Sequence, residues 1–530
     1  MSTRHLLSNA QNGSFDAAVQ VFINYRDGIL GFEKNEEEQQ IAFKNAIKIL
    51  ELNFYINEIN ISNFKKINDL KIDLHKNLTV FIGNNGTGKT SLLRAIQKNL
   101  SWFSAFILKE NTNGERIVES DINNSAKDKG EAAYLKCSFK IGTENRIDGQ
   151  LIREPKGITT DLKTEVMEYR KFGKNIRELL AFQNINLPLL MFYDIERFKR
   201  NDFKKMSHLE NLFFQLDGYE KSSNSRVSFE IFIDWLIKVL KISNKNFDSV
   251  EQDKVSSQID SLVNAGANKK DSPLNGLYKD LLSLLNSLPN ETTKTKSKKI
   301  VEDLEDLFRN VYPKLSKIQL INDDDGEDKI AINLGDEIIY LHQFSDGQRV
   351  LFGLVGDIAR RLILLNPNLS SPFDGTGIIL IDEIELHLHP KWQQKVILLL
   401  QKKFKNIQFI ITTHSPHVLS TVDKDSIYII KSTNEIDHPT FQTKGVASAD
   451  VLERIMGTES IPDVDEAQMI RKYLDSIQDN KYEMPDNVEI FQKLISHFGD
   501  KHPEILKCKQ QIRIKEMNLK IQNLKNSNFG

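Results

Sequence analysis

Gly83-Asn84-Asn85-Gly86-Thr87-Gly88-Lys89-Thr90, followed by Ser91, satisfies G-x-x-x-x-G-K-[ST] at every fixed position. Residues 78–82 before it are a short apolar run of strand type, and residues 92–96 after it read as helix. Strand, glycine-rich loop and helix are the context in which this pattern means phosphate binding. The glycines let backbone N–H groups turn inward, and the helix N-terminus closes the cradle. Gly83 to Ser91 form that cradle, Lys89 reaches the β- and γ-phosphates of a nucleotide such as ATP, and the Thr90 hydroxyl ligates Mg2+.

The bulk properties set the frame. At 530 residues the chain has room for about three or four units. It is 40% hydrophobic and 27% charged, so it can bury a large core. A formal net charge of -2 gives no global attraction to nucleic acid or anionic membrane, although it leaves local basic patches open. Cys137 and Cys508 lie far apart without metal-ligand spacing, which suits a reducing, cytoplasmic setting. No secretory leader is read at the N-terminus, and no run approaches the ~20 apolar residues of a membrane span.

Other acids and a histidine answer the phosphate loop from far along the chain. Gly377 and four apolar residues run into Asp382-Glu383, the pattern of a buried parallel strand delivering carboxylates to a ligand-binding sheet edge. Asp382 is read as a Mg2+ ligand, directly or through water, and Glu383 as the general base that polarises the attacking water. Ser345-Asp346-Gly347-Gln348-Arg349 opens a helix over 350–364, and Ser345 would also serve there as an ordinary N-cap. The strand beginning at Phe409 ends in His414-Ser415-Pro416. His387-Leu388-His389 has metal-like spacing, but no further ligands accompany it. The acidic run 323–328 lacks the calcium-loop pattern and is read as a hairpin turn.

Between these motifs, strand patterning covers 54–61, 70–74, 132–141, 147–152, 187–193, 316–321 and 329–334. Helical patterning covers 162–182 and, within an insertion, 209–216, 229–240, 274–288 and 299–311. The lysine-rich run 292–299 is read as a solvated loop. Residues 9–28 and 40–52 resemble one Sel1-like or tetratricopeptide-type helical pair, which either packs on the core or receives a partner.

The order of phosphate loop, Ser345–Arg349, Asp382-Glu383 and His414-Ser415-Pro416 resembles an ABC-type P-loop ATPase head. Asp382-Glu383-Ile384-Glu385 with Leu388-His389-Pro390 and Trp392-Gln393 is similar to the RecF-like and OLD-type branch. The resemblance implies an α/β fold with a mixed sheet. It also implies ATP hydrolysis with Mg2+, and Ser345–Arg349 as a signature acting in trans in a homodimer or higher even-numbered oligomer. His414 becomes the switch histidine that senses the γ-phosphate, and 384–393 the D-loop. The signature departs from the family at Phe344 and Asp346, which stand for Leu and the first Gly. The position of the Q-loop has no glutamine, so Asp194 or Glu196 takes it over, with Gln183 a poorer candidate.

This divides the chain into a helical segment 1–52, a lobe 53–202, a helical insertion 203–315, a second lobe 316–435 and a helical tail 436–530. The tail, with Gly499, His502-Pro503 and a lysine-rich helix carrying Ile514, Met517, Ile521 and Leu524, resembles that of the Septu anti-phage ATPases, in particular the type associated with retrons. That resemblance implies a separate HNH-type nuclease partner in abortive defence and a retron reverse transcriptase with its RNA–DNA hybrid; the lack of an apolar span adds the expectation of no membrane partner. Two alternatives stay open: a RecF-like DNA-repair ATPase binding DNA directly, and an OLD-like nuclease using acids such as Asp463 and Asp465.

Overall fold

The computed structural model describes residues 2–143, 145–158, 163–195, 212–220, 228–244, 249–268, 272–279, 281, 291–322, 326, 328–432, 435–458 and 463–527. They form two compact units, Met1–Ser448 and Ala449–Gly530.

The first unit is organised by strands too apolar to face water on either side. β3 (Leu78–Gly83), β6 (Leu189–Tyr193), β10 (Gly377–Ile381) and β11 (Ile407–Thr412) are buried almost throughout. Such strands belong in the middle of a parallel sheet. With β12 (Ile427–Ser432) and β13 (Glu435–Asp437) they form a six-stranded sheet of order β13-β12-β3-β11-β10-β6. Only β13 runs antiparallel, so the sheet is mixed. Ile381 is level with Tyr193 on one side and Ile411 on the other, so Asp382, Asp194 and the residues after β11 emerge along one edge.

A second sheet, β2-β1-β4-β5, is antiparallel: β1 (Phe54–Phe64), β2 (Ile67–Asp73), β4 (Ala133–Ile141) and β5 (Asn145–Arg153). Buried Gln408 of β11 ties the two sheets, accepting from Ile56 N and donating to Ile56 O and His75 O, each at 2.8 Å. α4 (Lys89–Leu108) packs against strands of both sheets and is buried along most of its length. Its buried polar side chains are bonded within the unit, Gln97 donating to Glu115 at 2.8 Å and Lys98 to Arg116 O at 2.9 Å.

The N-terminal segment makes three helices, α1 (Thr3–Gln11), α2 (Phe15–Asp27) and α3 (Glu36–Leu52), where the sequence suggested a pair. Gly13, at φ 90°, breaks the first helical run. After the short α5 (Asn124–Lys129) comes α6 (Met167–Phe182), on which α2 packs. Phe15 meets Phe172 at 5.6 Å, Phe22 meets Phe182 at 5.3 Å, and Arg26 pairs with Glu178 at 2.9 Å. Of the two roles considered for this segment, packing on the core is the one these contacts fill.

The insertion contributes α7 (Ser228–Asn244), α8 (Ser249–Asn264) and α9 (Glu291–Arg309). The run 292–299 is therefore helix, not loop. It contains no glycine or proline, Ser297 is buried, and Lys296 lies over the Phe213 ring at 4.5 Å. The expected helix at 209–216 is replaced, over its described end, by a 3-10 turn, Gln215–Tyr219. Most of 280–290, the helix continuation expected there, and most of the 323–328 turn lie outside the described residues. β7 (Leu315–Asn322), β8 (Asp328–Leu334) and β9 (Glu337–Tyr340) form a third, antiparallel sheet with β9 at one edge. α9 and α7 pack on α10 (Asp346–Leu365), where Phe308 stacks on Phe352 at 4.2 Å. α11 (Pro390–Lys403) and the single turn α12 (Pro416–Leu419) follow β10 and β11.

In sequence order α13 (Ser448–Arg454) comes next, and then the second unit's own core. α14 (Asp465–Gln478), α15 (Pro485–Phe498) and α16 (Pro503–Ser527) enclose Tyr473, Leu494, Ile505 and Cys508, with Tyr473 stacked on Phe491 at 4.5 Å. Among the described residues no helix is long and apolar enough to cross a membrane.

Candidate active site

The loop between β3 and α4 takes its shape from three glycines. Gly83, Gly86 and Gly88 have φ of 153°, 83° and 107°. A Cβ at Gly83 would lie 2.4 Å from Ile430 O of the neighbouring strand β12. No larger residue fits there without moving the strand. Thr87 Oγ1 donates to Asn84 O at 3.0 Å, which fixes the far side of the loop. Asn85 lies within the same turn, and Lys89, Thr90 and Ser91 start α4.

Lys89 is buried, and its ammonium donates to Gly83 O at 2.8 Å and Asn84 O at 2.9 Å. Burial pushes its pKa down, while the charges of Glu383, Asp382 and Glu385 pull it up. Those three acids come from the end of β10, nearly 300 residues away, as the sheet order requires.

Asp382 is fully buried. Burial raises its pKa; the hydroxyls of Thr412 and Thr90 hydrogen-bond the carboxylate and act against that shift, while Glu383 and Asp194 add to it. Thr90 and Asp382, the two residues read as Mg2+ ligands, are therefore neighbours, and Asp194 acts on the same point. Such a set of hard oxygen donors suits Mg2+. Asp194 also takes Arg94 of α4 at 2.6 Å. Of the two described candidates for the Q-loop position, Asp194 is the one that reaches this cluster. Gln183 is the exposed C-cap of α6, and Glu196 lies outside the described residues.

Thr412 joins the two acids of β10. Its hydroxyl donates to Asp382 Oδ1 at 2.5 Å and accepts from Glu383 N at 2.8 Å. Glu383 has a left-handed backbone, φ 45°, unfavourable for a non-glycine residue and held by this bond and by Leu386 N on Glu383 O at 3.0 Å. Glu385 braces the other strand end, accepting from Thr413 Oγ1 at 2.7 Å and from the backbone N of His414. His414, half-buried, thus stands at the end of β11 beside the acids of β10. Thr412 and Arg94 were not singled out in the sequence, and Glu385 was named there only within the Asp382–Glu385 motif. Their only advance signal is proximity to the motifs, in Glu383-Ile384-Glu385 and Thr412-Thr413-His414.

Ser345–Arg349 is built separately. Ser345 is the N-cap of α10 in a reciprocal capping box: Gln348 N donates to Ser345 Oγ at 3.4 Å and Ser345 N to Gln348 Oε1 at 2.9 Å. Asp346 pairs with Arg349 and is 81% exposed. A Cβ on Gly347 would lie 2.8 Å from His387 O, so the turn rests directly on residues 387–389. His387 has φ 65°, and His389 caps α11 through Lys391 N.

Behind this turn, α10 carries a fully buried ionic group. Asp357 accepts from Tyr193 Oη and from Arg361 Nε, both at 2.8 Å. Arg361 also donates to Gly218 O at 2.8 Å and Glu220 O at 2.9 Å. Tyr193 immediately precedes Asp194, so α10 is bonded to the strand that ends beside Asp382.

The P-loop, the acidic strand end and the parallel sheet between them define a P-loop ATPase, and the chain belongs to the AAA ATPase domain family, which matches residues 55–419. Its relatives narrow the class to ABC-type ATPases with a retron and Septu connection. It is 28% identical over 536 residues to the retron Ec83 probable ATPase of Escherichia coli, covering 96% of each chain. It is 30% identical to the retron Vc95 probable ATPase of Vibrio cholerae serotype O1 biovar El Tor, covering 88% of this chain and 92% of that one. Septu protein PtuA of Bacillus mycoides (strain KBAB4) is 25% identical over 72% of this chain and 41% of its own length.

Proposed function

We propose that the chain is the ATP-hydrolysing switch of an anti-phage defence system of the Septu and retron type, gating a separate HNH-type nuclease by nucleotide-dependent dimerisation of its heads. The observation that carries this reading is an asymmetry. Lys89, Asp382, Glu383, Glu385, Thr412 and His414 are linked through one network, whereas the side chains of Ser345 and Asp346 stand exposed on a separate turn. A signature built that way suits the nucleotide of a second copy. The relatives named as retron and Septu proteins support the defence setting.

In this mechanism Lys89 exchanges its two carbonyl acceptors for β- and γ-phosphate oxygens. Thr90 and Asp382 would hold Mg2+, which would supply positive charge to offset that of the phosphates. Glu383 orients and polarises the attacking water, held near Asp382 by the shared Thr412 hydroxyl. Glu385 fixes the turn from which His414 senses the γ-phosphate. ATP closes the head pair because its γ-phosphate contacts both copies, whereas ADP lacks that differential interaction. Hydrolysis reopens the pair, and cytoplasmic partners, the nuclease and a retron reverse transcriptase with its RNA–DNA hybrid, read the two states.

The test is Glu383→Gln. The variant is expected to bind ATP normally, to hydrolyse it at least ~100-fold more slowly, and to accumulate a dimer in light scattering with ATP but not ADP. Wild-type turnover in this variant contradicts the assignment.

A further inference from the structure

The first unit carries a groove of about 900 Å³ that the ATPase reading does not use. Its aromatic wall is Tyr312 and Trp392, whose rings meet edge to face at 5.8 Å. Lys314, Lys391 and Lys395 line it, all exposed and without an ion-pair partner among the described residues. Lys391 and Lys395 are one turn apart on α11 and so share a face. Asp336 and Glu337 also line it, at the start of β9. Among the described residues β9 pairs only with β8, its other side being the open edge of the third sheet, and Ile338 within it is 53% exposed.

We propose that this groove receives an extended acidic peptide segment of a partner protein. The segment lies beside β9, seats an aliphatic or aromatic side chain over Trp392, and sets its carboxylates against Lys314, Lys391 and Lys395. An open strand edge supplies main-chain hydrogen bonds, and the flanking groove supplies side-chain selection. The charges favour a peptide over a nucleic-acid strand. A continuous run of phosphates along this groove would meet Asp336 and Glu337, whereas a peptide alternates charge with apolar and neutral positions.

The groove also adjoins the elements that would complete a partner's ATP site. Tyr312 Oη donates to Gln348 O in the signature turn at 3.0 Å, and Trp392 N donates to His389 O of the D-loop at 2.7 Å. An occupant pressing on both rings therefore biases both elements. This consequence for turnover rests on the in-trans reading of Ser345–Arg349; the binding itself does not.

Tryptophan fluorescence gives a local reporter. Trp102 and Trp235 are 4% and 0% exposed, and Trp392 is the accessible one of the three. The full chain, without nucleotide, is titrated with an acetylated nonapeptide alternating aspartate and leucine around a central phenylalanine. Its lysine-for-aspartate twin and a ten-residue oligothymidylate are titrated in parallel. The acidic peptide is expected to change the emission saturably, and Trp392→Phe to remove that change. Lys391→Glu with Lys395→Glu weakens binding at least ~10-fold, with melting temperature and ATP binding retained as proof of folding. Equal binding of the lysine twin, binding of oligothymidylate alone, no binding, or unchanged affinity in the double variant each overturn the proposal. In a second arm the acidic peptide changes wild-type ATP turnover at least ~2-fold and leaves that of the double variant unaltered. Binding without any change in turnover overturns the link to the signature and D-loop.

Discussion

On the P-loop side, Lys89 is held by two backbone carbonyls and faces three acids from another strand, and a single threonine, Thr412, holds two of those acids. On the signature side, Ser345 and Gln348 cap one another and Asp346 pairs with Arg349, within a single exposed turn. The first arrangement spans three strands and is fixed by sheet register. The second is local and would form on an isolated helix. A site that needs both can be preorganised in one chain for binding, yet depend on a second chain for turnover. That division separates affinity from catalysis, and substitutions on the two sides should separate them too.

The largest effect belongs to the preorganised side. Lys89→Ala removes the ammonium that faces Glu383, Asp382 and Glu385. ATP affinity measured by titration calorimetry is expected to fall at least ~100-fold, with hydrolysis lost in parallel. Retained affinity would break the comparison.

A smaller effect, confined to turnover, is expected from Gly347→Ala. The added methyl would meet His387 O at 2.8 Å, so the signature turn and the D-loop must separate by a few tenths of an ångström. Turnover should drop ~10-fold while ATP affinity stays at the wild-type value. A matching loss of affinity would show that the signature acts within its own chain.

The smallest effect is on stability, and its sign is informative. Burial raises the Asp382 pKa, so the nucleotide-free fold binds this proton more tightly than the unfolded chain does. The associated stability is complete below the ordinary aspartate value of ~4 and is lost as pH rises through the raised value. At pH 7 Asp382→Asn is therefore expected to melt above the wild type without nucleotide, the gap closing as pH falls below ~4. A variant that melts lower at pH 7 would mean that the hydroxyls of Thr412 and Thr90 outweigh burial.

Much of this contrast was legible in the sequence, and the part that was not has a common cause. The apolar runs ending at Ile82 and Ile381 announce central parallel strands because nothing polar interrupts them, and the glycines and Lys89 announce the loop between strand and helix. Ser345 followed by Gln348 reads directly as a cap, since capping is local. Thr412 and Glu385 gain their roles only from the parallel register that sets Ile381 level with Ile411. Asp194 gains its pairing with Arg94, a hundred residues earlier in the chain, only from the packing of α4 on the sheet. The helix over 292–299 was missed because its lysines mask a stripe that begins at Ser297 and continues through Ile300, Leu304 and Leu307. The groove beside β9 draws on three separate stretches, 311–314, 334–337 and 391–395, which no local pattern connects.

The central claim, that one chain's P-loop is completed by another chain's signature, is tested most directly by mixing two inactive variants, Lys89→Ala and Ser345→Arg. Each alone should be inactive. Random pairing leaves one intact composite site in each mixed dimer, so the mixture is predicted to recover about one quarter of wild-type turnover. No recovery on mixing, or full turnover by Ser345→Arg alone, would contradict it.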